Sequence, residues 1–202
     1  MTKVKICGLR RPEDIRIVNL CKPDYAGFII HFPQSYRSLT VSQVERLTSM
    51  LDPGIQSVGV FVDEDPQLII DLLKRDILDL AQLHGRESED RIRHIQKESG
   101  KQVIKAFEIQ TMSDIEQACM SPADYILLDK GKGSGQTFDW SLIRKVDRPF
   151  FLAGGLQPDN IDQAIQMLHP FAVDISSGVE TQKYKDYDKI ETIMKKIRKE
   201  NL

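Results

Sequence analysis

Two residues that end apolar runs could exchange protons with a substrate. Cys7 ends the run KVKIC at 3–7, and Asp129 ends the run DYILLD at 124–129. A cysteine activated as a thiolate can accept a proton, and a carboxyl kept protonated in a poorly solvated site can donate one. Taken singly, such a cysteine is more often an inert buried thiol, and such an aspartate a helix cap or turn residue. As a pair they form a candidate acid–base system that needs neither a metal nor a cofactor.

The chain that must position this pair alternates strands with helices. Eight short apolar segments are typical of strands, and a helical pattern of apolar residues follows each one. The strands are expected at 3–7, 24–32, 58–62, 78–84, 102–107, 124–129, 150–153 and 171–176. Eight units of roughly 25 residues lie near the lower size limit of an eight-stranded β/α barrel, and this count favours the barrel over an open doubly wound sheet. We therefore predict an α/β fold, a single-domain (β/α)8 TIM barrel over residues 1–202.

Several helix starts are marked by residues that cap backbone N–H groups. Thr40-x-x-Gln43 predicts a capping box, and Thr111-x-x-Asp114 resembles one. We interpret Asp63-Glu64 as the cap of the helix after the third strand rather than as catalytic residues. Asp139 is expected to cap a short helix before the seventh strand.

Composition and cysteine spacing exclude several classes of protein. The 28 Lys and Arg residues against 30 Asp and Glu residues give a net charge of -2, which lacks the basic footprint of a nucleic-acid or anionic-membrane binder. Cys7, Cys21 and Cys119 form no C-x-x-C pair and no cluster of metal-ligand spacing. No apolar signal core and no run of 18 apolar residues is present. We expect a cytoplasmic protein without metal, nucleic-acid or membrane partners.

Two glycine-containing segments indicate where an anion could bind. In such a barrel, chemistry lies at the C-terminal ends of the strands. Gly154-Gly155 follows the seventh strand, and Ser177-Gly178 follows the eighth. Backbone N–H groups in these two loops form the usual phosphate site of such barrels, although the glycines could instead form only tight turns. We therefore expect a small phosphorylated substrate.

A third glycine-containing segment, Lys132-Gly133-Ser134-Gly135, follows Asp129. It lacks the spacing of a P-loop, so a flexible loop is the simpler interpretation. Its place above the sixth strand would suit a lid that excludes water.

Eight segments of this chain, in order, resemble the phosphoribosylanthranilate isomerase family. They are KICGLR (5–10), QSYR (34–37), VGVFV (58–62), QLHG (82–85), LLD (127–129), FDW (138–140), AGGL (153–156) and DISSGVE (174–180). Two loops depart from the pattern. The family usually has S-P-R where this chain has Ser35-Tyr36-Arg37, and G-G-[TS]-G where it has residues 132–135.

The resemblance implies a cofactor-free isomerase of tryptophan biosynthesis. Such enzymes convert N-(5-phosphoribosyl)anthranilate to the 1-deoxyribulose 5-phosphate product by an Amadori rearrangement. The family's general base matches Cys7, and its general acid matches Asp129. Its arginine for the anthranilate carboxylate matches Arg37, and its phosphate site matches Gly155, Ser177 and Gly178, with Gly154 beside them.

Three further residues near the strand ends are candidates for the site. His84 ends the fourth strand and is a candidate substrate-binding residue on the anthranilate side. Lys5 shares the Cys7 face of the first strand, one layer lower, where an unpaired ammonium would be costly. Because the first and eighth strands are neighbours in a closed barrel, we predict that Lys5 pairs with Asp174, which is included among the candidate site residues. The same cation would favour the Cys7 thiolate.

Two alternatives to this isomerase stay open at this point. A histidine-pathway phosphoribosyl isomerase of similar fold would be expected to use two carboxylates, which Cys7 at the first strand end disfavours. A sugar-phosphate-binding barrel without catalysis would keep the two glycine loops but need neither Cys7 nor Asp129. We expect a monomer or a homodimer.

Overall fold

Eight parallel strands close into a barrel in the computed structural model, which describes residues 1–129, 143 and 146–199. Each strand pairs with the next, and the eighth pairs with the first to complete the ring. The strands are β1 (Lys3–Cys7), β2 (Tyr25–Ile29), β3 (Gln56–Phe61), β4 (Leu80–Leu83), β5 (Gln102–Glu108), β6 (Tyr125–Asp129), β7 (Phe150–Leu152) and β8 (Ala172–Ile175). The predicted α/β barrel is confirmed, and most strands are shorter than predicted.

Helices cover the outside of this barrel. Those in the described part of the chain are α1 (Pro12–Cys21), α2 (Val41–Thr48), α3 (Pro66–Lys74), α4 (Glu89–Ser99), α5 (Met112–Met120), α6 (Ile161–Leu168) and α7 (Tyr187–Lys199). None of these helices is long and apolar enough to cross a membrane. Most of the short helix predicted after Asp139, and the whole segment 132–135, lie outside the described residues.

Two of the predicted helix caps are confirmed, and one is wrong. The Thr40 side chain accepts from the backbone N–H of Gln43, and the Thr111 side chain caps α5 in the same way. The cap of α3, however, is Asp65 and not the predicted Asp63-Glu64. Pro66 occupies the first turn of α3, so the residue before it becomes the cap.

The strands carry two separate apolar cores because successive side chains point to opposite faces. The outer core lies between strands and helices, whereas the inner core fills the barrel with residues such as Val58, Leu80, Ile104 and Leu127. At the N-terminal ends of the strands the inner core ends in a cluster of rings, which we call the aromatic layer: Tyr25, Tyr125, Phe151 and Phe171. The barrel is therefore closed at this end, and its polar residues lie toward the other.

After β8 the chain forms a short hairpin before the last helix. A single 3-10 turn (Ser177–Val179) leads into β9 (Glu180–Thr181), which pairs antiparallel with β10 (Tyr184–Lys185). The guanidinium of Arg11, in the loop after β1, lies 4.0 Å from the centre of the Tyr184 ring. This hairpin therefore packs on the loop that follows Cys7.

Candidate active site

Cys7 ends β1 with its side chain buried at the mouth of the barrel. Its pairing partner in β2 is Gly27. A Cβ atom on Gly27 would lie 2.8 Å from the Cys7 Sγ, so glycine provides the space that the thiol occupies. Sequence reasoning missed Gly27, although a glycine within a strand often marks a close approach.

Lys5 and Asp174 form the predicted ion pair beneath Cys7. The Lys5 Nζ donates to Asp174 Oδ2 at 2.7 Å, and the lysine side chain is fully buried. Burial lowers the pKa of Lys5, but Asp174 and Cys7 raise it and leave it above its ordinary value. The ion pair with Asp174 therefore favours the charged form of Lys5 in the interior. Among the described residues, Asp174 Oδ1 has no hydrogen-bond partner.

Burial and the nearby lysines have opposite effects on the pKa of the Cys7 thiol. Burial raises the pKa of the Cys7 thiol, while the ammonium groups of Lys5 and Lys185 lower it, and the net pKa is raised. The expectation that Lys5 favours the thiolate is thus correct in sign, but burial outweighs it.

On the other side of the mouth, His84 lies between Gln82 and Asp129. Its Nε2 is 3.8 Å from Asp129 Oδ2, and its Nδ1 accepts from Gln82 Nε2 at 3.0 Å. Burial lowers the pKa of His84, with a partly compensating rise from Asp129. A neutral ring that accepts at Nδ1 carries its hydrogen on Nε2, which faces the Asp129 carboxylate. His84 and Asp129 thus form one polar group at the ends of β4 and β6.

Arg37 lies beside Cys7 but is already bound to a carboxylate. Its side chain crosses directly over Gly8, whose φ of +81° and missing Cβ allow this approach. The Arg37 Nε and Nη2 donate to the two oxygens of Glu180 at 2.8 and 2.6 Å. Sequence reasoning gave Glu180 no role, because the contact depends on the hairpin after β8.

The loops after β7 and β8 contact one another through their glycines. Gly154 and Gly155 have φ values of +93° and +68°, which favour glycine. A Cβ on Gly178 would clash with the carbonyl oxygen of Leu156, so the two loops pack backbone to backbone. Among the described residues, the N–H groups of Gly154 and Gly155 meet no acceptor. Ser177 is exposed next to them.

The polar side chains of this mouth suit proton transfer and anion binding. Within the described ranges, no group of three or more His, Cys, Asp or Glu side chains could hold a metal ion. Cys7 and Asp129 lie three strands apart around the ring, and Arg37 adds a cation beside the thiol.

Comparison with known proteins decides the family. The profile described as N-(5'phosphoribosyl)anthranilate (PRA) isomerase matches residues 4–196. The chain belongs to this isomerase family. The match covers both candidate proton-transfer residues and both glycine loops, so the resemblance noted in the sequence is confirmed at the level of the family.

Individual relatives resemble the chain over nearly its full length. An N-(5'-phosphoribosyl)anthranilate isomerase of Endomicrobium trichonymphae is 43% identical over 203 residues, covering 98% of this chain and 99% of that protein. One from Clostridium acetobutylicum is 41% identical over 208 residues, with 98% and 99% covered. Both relatives carry the name of the matched family.

Solved structures of the family share the fold. The phosphoribosyl anthranilate isomerase from Thermotoga maritima has a TM-score of 0.88 and 39% identity, covering 98% of this chain and all (100%) of that one. A phosphoribosyl anthranilate isomerase in complex with reduced 1-(o-carboxyphenylamino)-1-deoxyribulose 5-phosphate has a TM-score of 0.87 and 38% identity, with the same coverage. That relative therefore binds a phosphorylated ligand that carries a carboxylate.

Proposed function

We propose that the chain converts N-(5'-phosphoribosyl)anthranilate to 1-(2-carboxyphenylamino)-1-deoxyribulose 5-phosphate in tryptophan biosynthesis, by a cofactor-free Amadori rearrangement. The observation that carries this proposal is the placement of Cys7 and Asp129 at the C-terminal ends of β1 and β6, with Arg37 beside the thiol. Membership of the isomerase family supports the same reaction.

Asp129 and Cys7 act in successive proton transfers. Asp129 gives a proton to the furanose ring oxygen as the bond from C1 to that oxygen breaks, and the anthranilate nitrogen lone pair forms a C1=N bond. Cys7, as thiolate, removes the proton on C2; the electrons of that C–H bond form the C1=C2 bond of an enolamine, and the π electrons of the C1=N bond return to nitrogen. The enolamine then gains a proton at C1 and loses the proton of the C2 hydroxyl, which gives the ketone.

The surroundings of each group fit these roles. Lys5 and Lys185 lower the pKa of Cys7 and so reduce the cost of forming its thiolate inside the barrel. Asp174 acts through Lys5, whose charge it keeps in place. His84, whose Nε2 lies 3.8 Å from Asp129 Oδ2, is assigned to the anthranilate side of the substrate.

The two ends of the substrate have separate receptors in this proposal. Arg37 takes the anthranilate carboxylate, for which a guanidinium has matching geometry. The phosphate binds to backbone N–H groups of Gly154, Gly155, Ser177 and Gly178. With both ends held, C1 and C2 of the sugar lie between Cys7 and Asp129.

We also propose that residues 1–202 form one domain, which acts in the cytoplasm as a monomer or a homodimer. Its partner in this reaction is the small phosphorylated substrate alone.

The direct test is an assay with freshly prepared N-(5'-phosphoribosyl)anthranilate. Loss of its fluorescence is followed with and without the protein, and accelerated loss with formation of the ketone product is the expected result. No acceleration over the spontaneous background would overturn the proposal. Binding of phosphorylated ligands without turnover would instead favour a sugar-phosphate-binding barrel.

A further inference from the structure

Arg37 is held in a fixed orientation by one carboxylate, that of Glu180. The arginine uses Nε and Nη2, the two donors along one side of its guanidinium, to bind Oε1 and Oε2. Within the described part of the chain, Nη1 donates no hydrogen bond. The edge formed by Nη1 and the outer hydrogen of Nη2 is thus free for a second carboxylate, as the planar fork of arginine allows.

Glu180 is itself saturated by two further donors. Lys185 Nζ donates to Oε1 at 2.8 Å, and the Tyr36 hydroxyl donates to Oε2 at 2.6 Å. Each carboxylate oxygen therefore accepts two hydrogen bonds. The side chains of Glu180 and Lys185 are 7% and 1% exposed, so the ion pair between them is shielded from water. Lys185 is anchored from below because its Nζ also donates to the carbonyl oxygen of Ser176 at 3.0 Å.

Tyr36 constrains the arginine from another direction as well. The guanidinium carbon of Arg37 lies 4.2 Å from the centre of the Tyr36 ring, a stacking contact that suits a planar cation. The same residue thus bonds the carboxylate through its hydroxyl and contacts the arginine through its ring.

The charges of this cluster favour an incoming anion. Arg37 and Lys185 both pair with Glu180, the one carboxylate that the described structure places on them, so with both groups charged the cluster has a formal excess of one positive charge. Burial lowers the pKa of Lys185, while its hydrogen bond to Glu180 opposes that change. The second cation shares the glutamate with Arg37 and leaves part of the arginine's charge uncompensated. A single carboxylate at the free edge of Arg37 would neutralise the whole group.

We propose that Glu180, Lys185 and Tyr36 are positioning residues that orient Arg37 toward the carboxylate on the aromatic ring of the substrate. This inference rests on the proposed function, since it takes the anthranilate carboxylate as the ligand of Arg37. Because Glu180 belongs to the hairpin after β8 and Arg37 to the loop after β2, the hairpin contributes to substrate selection. It does so without contacting the reacting atoms.

The test compares two ligands that differ only in the carboxylate. Calorimetry measures binding of reduced 1-(2-carboxyphenylamino)-1-deoxyribulose 5-phosphate and of the corresponding phenylamino compound without the carboxyl group. We expect Glu180→Gln to weaken binding of the carboxylated ligand by about tenfold or more, because a misplaced binding group loses most of its effect. Binding of the carboxyl-free ligand should change by less than about twofold.

Tyr36→Phe provides a milder variant at an exposed side chain if Glu180→Gln does not fold. It removes one hydrogen bond to Glu180 and keeps the ring, so a loss of about threefold to fivefold is expected for the carboxylated ligand alone. Tyr184→Phe is the matched control. It removes a tyrosine hydroxyl from the hairpin that carries Glu180, and it keeps the ring contact with Arg11. That control should bind both ligands as the parent protein does.

Three results would overturn the inference. They are unchanged binding of the carboxylated ligand by Glu180→Gln and Tyr36→Phe, tighter binding that makes Glu180 a competitor of the substrate, and an equal loss for both ligands. Turnover gives an independent readout, in which the KM of Glu180→Gln should rise more than its kcat falls. If the parent protein binds the carboxylated ligand selectively but has no isomerase activity, the proposed function fails and the positioning role stands.

Discussion

Lys5 and Asp174 face each other across the pairing of β1 and β8, with 2.7 Å between Nζ and Oδ2. The pair joins the first and last strands of the barrel one layer below Cys7. A charge placed there acts on the thiol through a medium that screens it poorly. The ion pair thus serves barrel closure and the chemistry of the candidate base together.

Replacing Lys5 with methionine should raise the pKa of Cys7 further, because the variant removes a cation that lowers it. Since the thiolate is the reactive form, alkylation of Cys7 by iodoacetamide at neutral pH should slow, and the rise of kcat/KM with pH should move to higher pH. Mass spectrometry of the Cys7 peptide measures the alkylation rate. The double variant Lys5→Met with Asp174→Asn avoids leaving a buried unpaired carboxylate. Faster alkylation in both variants would contradict this assignment.

Cys7→Ala and Asp129→Asn should each lower kcat by a factor of about 10² to 10⁴, the usual contribution of a general acid or base. Both variants should still bind the reduced product analogue, because neither residue is assigned to its carboxylate or phosphate. Cys21→Ala is the matched control, since it removes a buried thiol from α1, outside the site. A kcat within about tenfold of the parent value in either site variant would show that the roles are wrongly assigned.

Gly27→Ala should reduce kcat/KM by about tenfold to a hundredfold, because the added Cβ would displace the Cys7 thiol. The overpacking should also cost about 1–3 kcal/mol of unfolding free energy, measured by urea titration. Gly100→Ala controls for stability. That residue ends α4 with φ at +67° and open space around its Cβ, so its variant should lose stability and keep its kinetics.

Glu180 should contribute stability that disappears in acid. Burial raises the pKa of its carboxyl, but hydrogen bonds from Arg37, Lys185 and Tyr36 lower it more, to about 2, below the ordinary value of 4.5. A carboxyl with a depressed folded-state pKa stabilises the protein above its unfolded pKa, and this contribution is lost as pH falls from 4.5 toward 2. The difference in unfolding free energy between the parent protein and Glu180→Gln should therefore be largest near pH 7 and shrink below pH 4.5. If the difference in unfolding free energy did not depend on pH, the charge of the Glu180 carboxylate would not be what stabilises the protein.

Much of the fold follows from local patterns in the sequence. Alternating strands and helices with a count of eight predict the barrel, and strand alternation together with barrel closure places Lys5 next to Asp174. Strand lengths are less predictable, because apolar residues such as Leu78 and Phe171 extend the strand pattern to positions before the strand pairing begins.

The parts that were missed depend on contacts distant in sequence. Glu180 meets Arg37 across 143 positions, and only the folded hairpin brings them together. The pKa of Cys7 depends on how deeply the thiol is buried, which a strand pattern does not reveal. The wrong prediction of a cap at Asp63-Glu64 has a local cause instead. Pro66 begins α3, and this residue alone could have indicated that Asp65 is the cap.

The aromatic layer at the N-terminal ends of the strands determines how ligands can move. Tyr125 stacks on Phe171 with 4.9 Å between ring centres, and Lys3 lies 5.2 Å from the centre of the Phe171 ring. Because these rings close that end and the inner core fills the described barrel, a ligand approaches Cys7 from the mouth at the C-terminal ends of the strands. Substrate and product then use the same entrance. The product should therefore act as a competitive inhibitor, and it must dissociate before the next substrate molecule binds.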